Sequence, residues 1–399
     1  MINTGTTQMR KENSGPSQRY FLKNAERGYT LIEILIGSVI MLLVVLATLS
    51  LYVSSNRLSV DQQQFASLQH DVRSAMFFIS RDVKSICAGV NQRFAAYFIQ
   101  GVNNDINQSS HPYQTDRITF LGNSDPLRLL VQTYVPGTGT VTLEPTELPL
   151  YPYTANAYPA DPLGYVNRAI LILPDPEDNT TNGELGQITG VDLASSTITF
   201  NTINITLPNG LVPGGASADY SGGTVHFIEF KTYWLDMDGN YPGLTAGSNG
   251  YLGLPGVVYV SQWNPMSNAY DHLALALNCE DLQFQYHGDM NGDQLLDDNN
   301  GDSVISSLDF INWGDIYDFT NPTVLAGIRF VRIMILGKTE NPYVSVSGTP
   351  PAEVTYIYTK PTIADSPAGA QIDRHRRFLL ESTANIRNMS LNVYNTGTI

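Results

Sequence analysis

Residues 28–33 read Gly28-Tyr29-Thr30-Leu31-Ile32-Glu33, and the next 23 residues, Ile34 to Asn56, contain no Asp, Glu, Lys, Arg or Pro. As helix, 23 residues span roughly 35 Å at about 1.5 Å per residue, against a hydrocarbon core of about 30 Å. Only a helix satisfies its own backbone in that medium. A secretory signal peptide has a shorter apolar region, of about 7 to 15 residues, with its small-residue cleavage site after it. Here the apolar run is longer and the small residue, Gly28, precedes it. A plain anchor needs no carboxylate beside its apolar start. Glu33 is costly in lipid without a partner, which makes it a functional candidate.

The 28 residues that end at Gly28 hold five basic side chains (Arg10, Lys11, Arg19, Lys23, Arg27) and two acidic ones (Glu12, Glu26), a net +3. A basic flank stays cytoplasmic, so the chain beyond the span is expected outside. Past the span, apolar residues recur at Leu58, Phe65, Leu68, Val72, Met76, Ile79, Val83 and Ile86. Steps of three and four make an amphipathic helix. No glycine lies between Gly37 and Gly89, so one helix is expected from Tyr29 to about Ile86. Its apolar stripe reads as core, the glue between helix and head.

Gly28, an aromatic, Thr30, two aliphatics and Glu33 resemble the prepilin peptidase site of type IV pilins and type II secretion pseudopilins. The resemblance implies cleavage after Gly28 by a prepilin peptidase and N-methylation of Tyr29, where most family members carry Phe. It also implies that Glu33 meets the free N-terminal amine of a neighbouring subunit during assembly. The helix segment Leu68-Gln69-His70-Asp71-Val72-Arg73 through Val83 is similar to that of the PilW minor pilins. So are Cys279 to Tyr286, Ala326 to Ile333, Arg374 to Thr383 and Ile386-Arg387-Asn388. The likeness covers the long helix and parts of the last 120 residues or so, and leaves roughly Gly101 to Gly223 uncovered. The implied fold is α+β: a long N-terminal pilin-type helix, membrane-spanning in its first half and amphipathic in its second, packed on a large antiparallel β-rich head. The expected divisions are a cytoplasmic leader (1–28), a transmembrane half (29–56), an amphipathic half (57–88) and a head (89–399) with an insert at about 101–223.

Net charge is −15, and removing the +3 leader leaves −18 on the mature chain. From Gly101 to Asn264 the basic residues are Arg117, Arg128, Arg168 and Lys231. Such a surface repels phosphate backbones, so no nucleic acid is expected as a partner, and it attracts divalent cations. The two cysteines, Cys87 and Cys279, stand either as one long-range disulfide in an extracytoplasmic head or as two buried thiols; spacing does not choose.

Strand-like runs dominate the head: Arg117 to Leu121, Leu127 to Tyr134, Ala169 to Leu173, Ser196 to Ile205, Thr224 to Asp236, Leu282 to Tyr286, Ile328 to Gly337 and Glu353 to Thr359. Gly, Pro, Asn and Asp clusters divide them. Asp238-Gly239 reads as a turn rather than a cation site with Asp236. The Pro-, Tyr- and Asn-rich section from Gly101 to about Leu163 is expected to be loop-heavy.

A second informative stretch is acidic. From Asp298 to Asp309, oxygen-bearing side chains fall at places one, three, five, nine and twelve: Asp298, Asn300, Asp302, Ser306 and Asp309. A backbone carbonyl at place seven, Val304, completes the spacing by which a twelve-residue EF-hand loop wraps Ca²⁺. Ile305 and an acid at the twelfth place resemble the calcium loops of dockerin modules. The sixth place, normally Gly for a sharp turn, is Ser303. Just before it, Asp289, Asn291, Asp293 and Asp297 repeat half of the pattern, with Gln294 in place of Gly. The alternative is an acidic, solvated loop; the expectation is structural Ca²⁺, one ion or two.

No Gly-x-Ser-x-Gly, His-Glu-x-x-His or Cys-x-x-Cys occurs, and Gly337-Lys338-Thr339 lacks the earlier glycine of a phosphate loop. No enzyme is expected. The expected function is that of a minor pilin in the inner membrane and then in a surface pilus, with other minor pilins and the major pilin as partners. A J-type secretion pseudopilin and an adhesin-like tip subunit are the alternatives.

Overall fold

Apolar side chains recur at helical steps beyond Leu58, and the backbone obeys that period. In a computed structural model, helix α1 runs Leu31–Lys84, ending two residues before the expected Ile86. The structure describes residues 29–86, 99–105, 115–144, 165–175, 183–192, 194–202, 218–264, 267, 269–342, 359–369, 373 and 375–386. The chain divides into two compact units, Met1–Val60 and Asp61–Ile399. In the first, every described residue is exposed, including Leu35, Val39, Leu42, Leu46 and Leu49. Such a surface is suited to lipid rather than water.

In the second unit, α1 turns Leu68, Val72, Ala75, Met76, Ile79 and Val83 into the main core. Gly337 lets the helix close on the sheet: a Cβ there would lie 2.6 Å from Leu68 Cδ1 and 2.9 Å from Val72 Cγ2. One carboxylate tethers the helix as well. Asp82 is 6% exposed. It accepts from Lys231 Nζ at 2.9 Å, Tyr233 Oη at 2.8 Å and Arg81 Nε at 2.9 Å. Burial works to raise its pKa, but these donors outweigh it and hold Asp82 below the ordinary carboxylate range.

All strand pairings in the head are antiparallel. A three-stranded sheet orders β10 (Cys279–Gly288), β11 (Ile328–Lys338) and β12 (Arg377–Asn385) side by side, with the short helix α2 (Pro322–Gly327) leading into β11. A nine-stranded sheet comprises β1 (Ile99–Val102), β2 (Arg117–Val135), β3 (Thr140–Leu143), β4 (Ala169–Leu173), β5 (Glu184–Asp192), β6 (Thr197–Thr202), β7 (Thr224–Asp236), β8 (Val257–Asn264) and β9 (Ala269–Ala276). The two strands expected at 117–121 and 127–134 are one strand, β2, whose pairing with β7 is interrupted between Asn123 and Arg128.

The interruption matters for topology. The first half of β2 pairs with β1 and with the middle of β7, within a sheet that continues through β8 and β9. The second half pairs with β3, and β3-β6-β5-β4 leads back to the start of β7, which still pairs with β2. The hydrogen bonding therefore closes a ring of six strands, a small barrel with no free edge. A core of its own, with Leu129, Val131, Ile170, Ile172, Phe200 and Phe227, belongs to these strands. The section expected to be loop-heavy, 101 to about 163, thus supplies β2 and β3, and the rest of the expected insert, to about 223, supplies β4, β5 and β6.

His226, on β7, is 2% exposed, with Nε2 3.0 Å from Thr224 Oγ1. Burial first, and the charge of Arg128 second, pull its pKa from 6.5 down to about 4. The unfolded chain takes up this proton first as pH falls, so the stability it confers is complete above pH 6.5 and lost toward pH 4. The expected loss is about 3 kcal/mol. Denaturant unfolding across this range should show the slope, and His226→Gln should flatten it; an unchanged slope would remove His226 as its source.

Candidate functional site

The start of α1 forms a closed hydrogen-bond box. Thr30 N and Thr30 Oγ1 both donate to Glu33 Oε2, at 2.8 and 3.0 Å, and Glu33 N donates to Thr30 Oγ1 at 3.3 Å. This is the reciprocal arrangement of a Ser/Thr-x-x-Glu cap, which satisfies amides that a helix start leaves without partners. The Thr30-to-Glu33 spacing signals such a cap in sequence, beside the neighbouring-subunit role that the resemblance implies for the same carboxylate. One oxygen, Oε2, takes both Thr30 donors, so Glu33 can cap its own helix and present its charge. Tyr29 is 82% exposed. Gly28 and the leader lie outside the described residues.

The acidic stretch joins β10 to α2. Its two turns are built alike, nine residues apart. Asp289 Oδ1 accepts from Gly292 N at 3.0 Å, and Asp298 Oδ1 from Gly301 N at 2.8 Å. Asn291 and Asn300 accept from the amides two residues on, at 2.8 and 2.9 Å. Asp293 and Asp302 do the same, both at 2.8 Å. The sixth places bend as a Gly would: Gln294 has φ 70° and Ser303 φ 65°. Val304, the seventh place, donates its amide to Asp302. Ser306 caps a short 3₁₀ turn in which Asp309 returns the bond, and Asp309 Oδ1 also accepts from Asn300 N at 3.2 Å. Thus Asp309 ties the third and ninth places of the second turn together through their amides, while Asp297 reaches the amide of Met290, beside the first place of the first turn. Asp297 Oδ2 accepts from Met290 N at 2.6 Å. Burial first, and then the neighbouring Asp289 charge, raise the Asp297 pKa against the Met290 amide, the Tyr317 hydroxyl and the Asn291 amide. Tyr317, whose hydroxyl donates to Asn299 at 3.3 Å, is pushed up to about 12 by burial and by Asp297. Among the described residues, no three His, Cys, Asp or Glu side chains gather around a point where a metal could sit. A cation shell here would need carboxamide and carbonyl oxygens as well.

Arg376 and Arg377, in the basic run at 374–377, are turned inward. Arg376 pairs with Asp61 of α1 at 2.7 Å. Arg377 grips Glu280 of β10 through Nε and Nη2, at 2.6 and 3.0 Å, and Asp373 through Nη1 at 2.8 Å. The likeness at 374–383 therefore coincides with residues that lock β12 to β10 and to the helix. Cys279 is buried at the start of β10, and burial pushes its thiol up to about 12. Its expected partner Cys87 lies outside the described residues.

A capped, lipid-suited helix whose second half is the core helix of an antiparallel head is the build of a pilin-type subunit. Residues 23–49 match the family model described as the prokaryotic N-terminal methylation motif. The match brackets Gly28, Tyr29 and Glu33 and supports a type IV pilin or pseudopilin, a structural subunit processed by a prepilin peptidase. No curated protein matches the chain.

Proposed function

We propose that this chain is a minor pilin of the PilW kind. It enters the inner membrane with its basic leader in the cytoplasm and its head outside. Prepilin peptidase cuts between Gly28 and Tyr29, and Tyr29 becomes N-methylated. The subunit then joins other minor pilins and the major pilin, primes pilus assembly and takes a place at the tip. The observation that carries this reading is the methylation motif set on an apolar helix that continues, unbroken, into the core of a β-rich head. A J-type secretion pseudopilin has the same build. PilW is favoured by the one helix segment and the four head segments that resemble that family. The closed barrel lies in the section outside that likeness, and it is where an adhesin-like role would reside.

Mass spectrometry of the mature N-terminus tests the processing. The expected first residue is methylated Tyr29. A mature chain that keeps its first 28 residues, or that begins downstream of the apolar run, would overturn the assignment. Deleting the gene separates the two systems: pili should disappear while secretion continues.

A further inference from the structure

Acidic turns by themselves bind nothing, and the bonds within these two account for their shape without any ion. One atom is different. Asp297 is 4% exposed, and its Oδ1 has no hydrogen-bond partner. The residue is pinned on every other side: its amide donates to Gly288 O at 2.8 Å, its carbonyl lies 2.9 Å from His287 Nε2, and its Oδ2 holds Met290 N. Tyr317 and the Asn291 amide also lie against this carboxylate and help to hold its charge, with the Tyr317 hydroxyl 3.3 Å from Asn299 Oδ1. A buried carboxylate oxygen left without a donor is strongly disfavoured.

The surroundings supply little positive charge to relieve it. Residues 288–328 hold eight Asp and no Lys, Arg or His. The nearby cation is Arg329, which feels the Asp289 charge and donates to Ala326 O at 2.6 Å. Asp289 is itself buried. Counted from Asp289, the orphaned oxygen stands at the ninth place, a ligand place of the twelve-residue calcium loop. Asp289, Asn291 and Asp293 stand at the first, third and fifth.

We propose that the first acidic turn binds Ca²⁺, with Asp297 Oδ1 as the buried ligand and with Asp289, Asn291, Asp293 and the Leu295 carbonyl drawn in to complete an oxygen shell from carboxylates that do not meet at one point in the ion-free chain. The spacing in sequence favours the second turn, because that loop carries an acid at its twelfth place. The unpartnered oxygen moves the site to the first. The second turn, joined to it at Asp297-Asp298, buttresses the shell through its own amide bonds. All-oxygen ligands from a flexible loop select Ca²⁺ over Mg²⁺, which demands near-ideal octahedral geometry, and over softer metals. The ion replaces mutual repulsion of the carboxylates with attraction and so stabilises the link between β10 and α2.

The test uses the full chain in detergent, stripped with chelator and titrated with CaCl₂ up to about 1 mM, the upper range for extracellular modules. Calcium is expected to raise the melting temperature and slow hydrogen exchange at 289–297, and MgCl₂ at the same concentration to do neither. Tb³⁺ should give emission sensitised by Tyr317 and quenched by Ca²⁺. Asp297→Asn should weaken Ca²⁺ binding at least about tenfold. Asp309→Asn should weaken it less. The exchange footprint on the unmodified chain decides the matter if Asp297→Asn fails to fold. Equal effects of Ca²⁺ and Mg²⁺, a footprint confined to 298–309, or no effect of Ca²⁺ would each overturn the proposal.

Discussion

Glu33→Gln is expected to leave the helix and its membrane insertion intact and to deplete the subunit from filaments roughly ten- to a hundred-fold. The two roles of Glu33 separate in this variant. In the structure its carboxylate completes the cap with Thr30. Gln at the same place also completes such a cap, so the start of the helix is preserved. Removing a charge from the edge of an apolar run makes insertion no harder. What is lost is the anion that would meet a neighbour's amine. A hydrogen bond to a charged group contributes about 1.5–3 kcal/mol, which is that ten- to hundred-fold range. Glu33→Ala removes the cap too, at about 0.5–2 kcal/mol of helix stability. It should therefore add fraying of the first turn to the assembly defect. The ratio of filament-bound to membrane-bound subunit measures the effect. If the Gln variant assembles like the parent, Glu33 is a helix cap and no more.

Arg377→Met is expected to destabilise the head by about 3–5 kcal/mol. The side chain of Arg377 is 2% exposed and that of Glu280 10% exposed. With the guanidinium gone, Glu280 keeps, among the described residues, only Lys338, at 3.9 Å. A buried charge without its partner costs far more than the pair contributes. The double variant Arg377→Met with Glu280→Met should consequently recover much of the loss. Denaturant midpoints of the four chains give the coupling. Equal midpoints for the parent and the single variant would show the pair to be idle.

These expectations divide along a physical line. Helix α1 was legible almost to the residue, because its signals are local: an uncharged run, then apolar residues at steps of three and four. β4 and β7 were legible for the same reason, as Ala169–Leu173 and Thr224–Asp236 coincide with compact apolar runs. β5 and β9 were not, since their Gly, Asp, His and Gln residues break the alternation that marks a strand. The Thr30–Glu33 cap is written as spacing, beside an apolar run in which the same carboxylate stands out as a lone charge.

From the sequence alone came the processing motif, the lipid-crossing helix with its amphipathic continuation, and the two acidic turns, each written within a few dozen consecutive residues. Tertiary structure alone decided that β2 and β7 close a six-stranded ring, that Asp82 meets Lys231 and Tyr233 from some 149 residues away, and that Asp297 rather than Asp309 carries the orphaned oxygen. Those outcomes depend on which distant groups share a buried space, and on whether each polar atom finds a donor there. Periodicity and spacing hold no record of either.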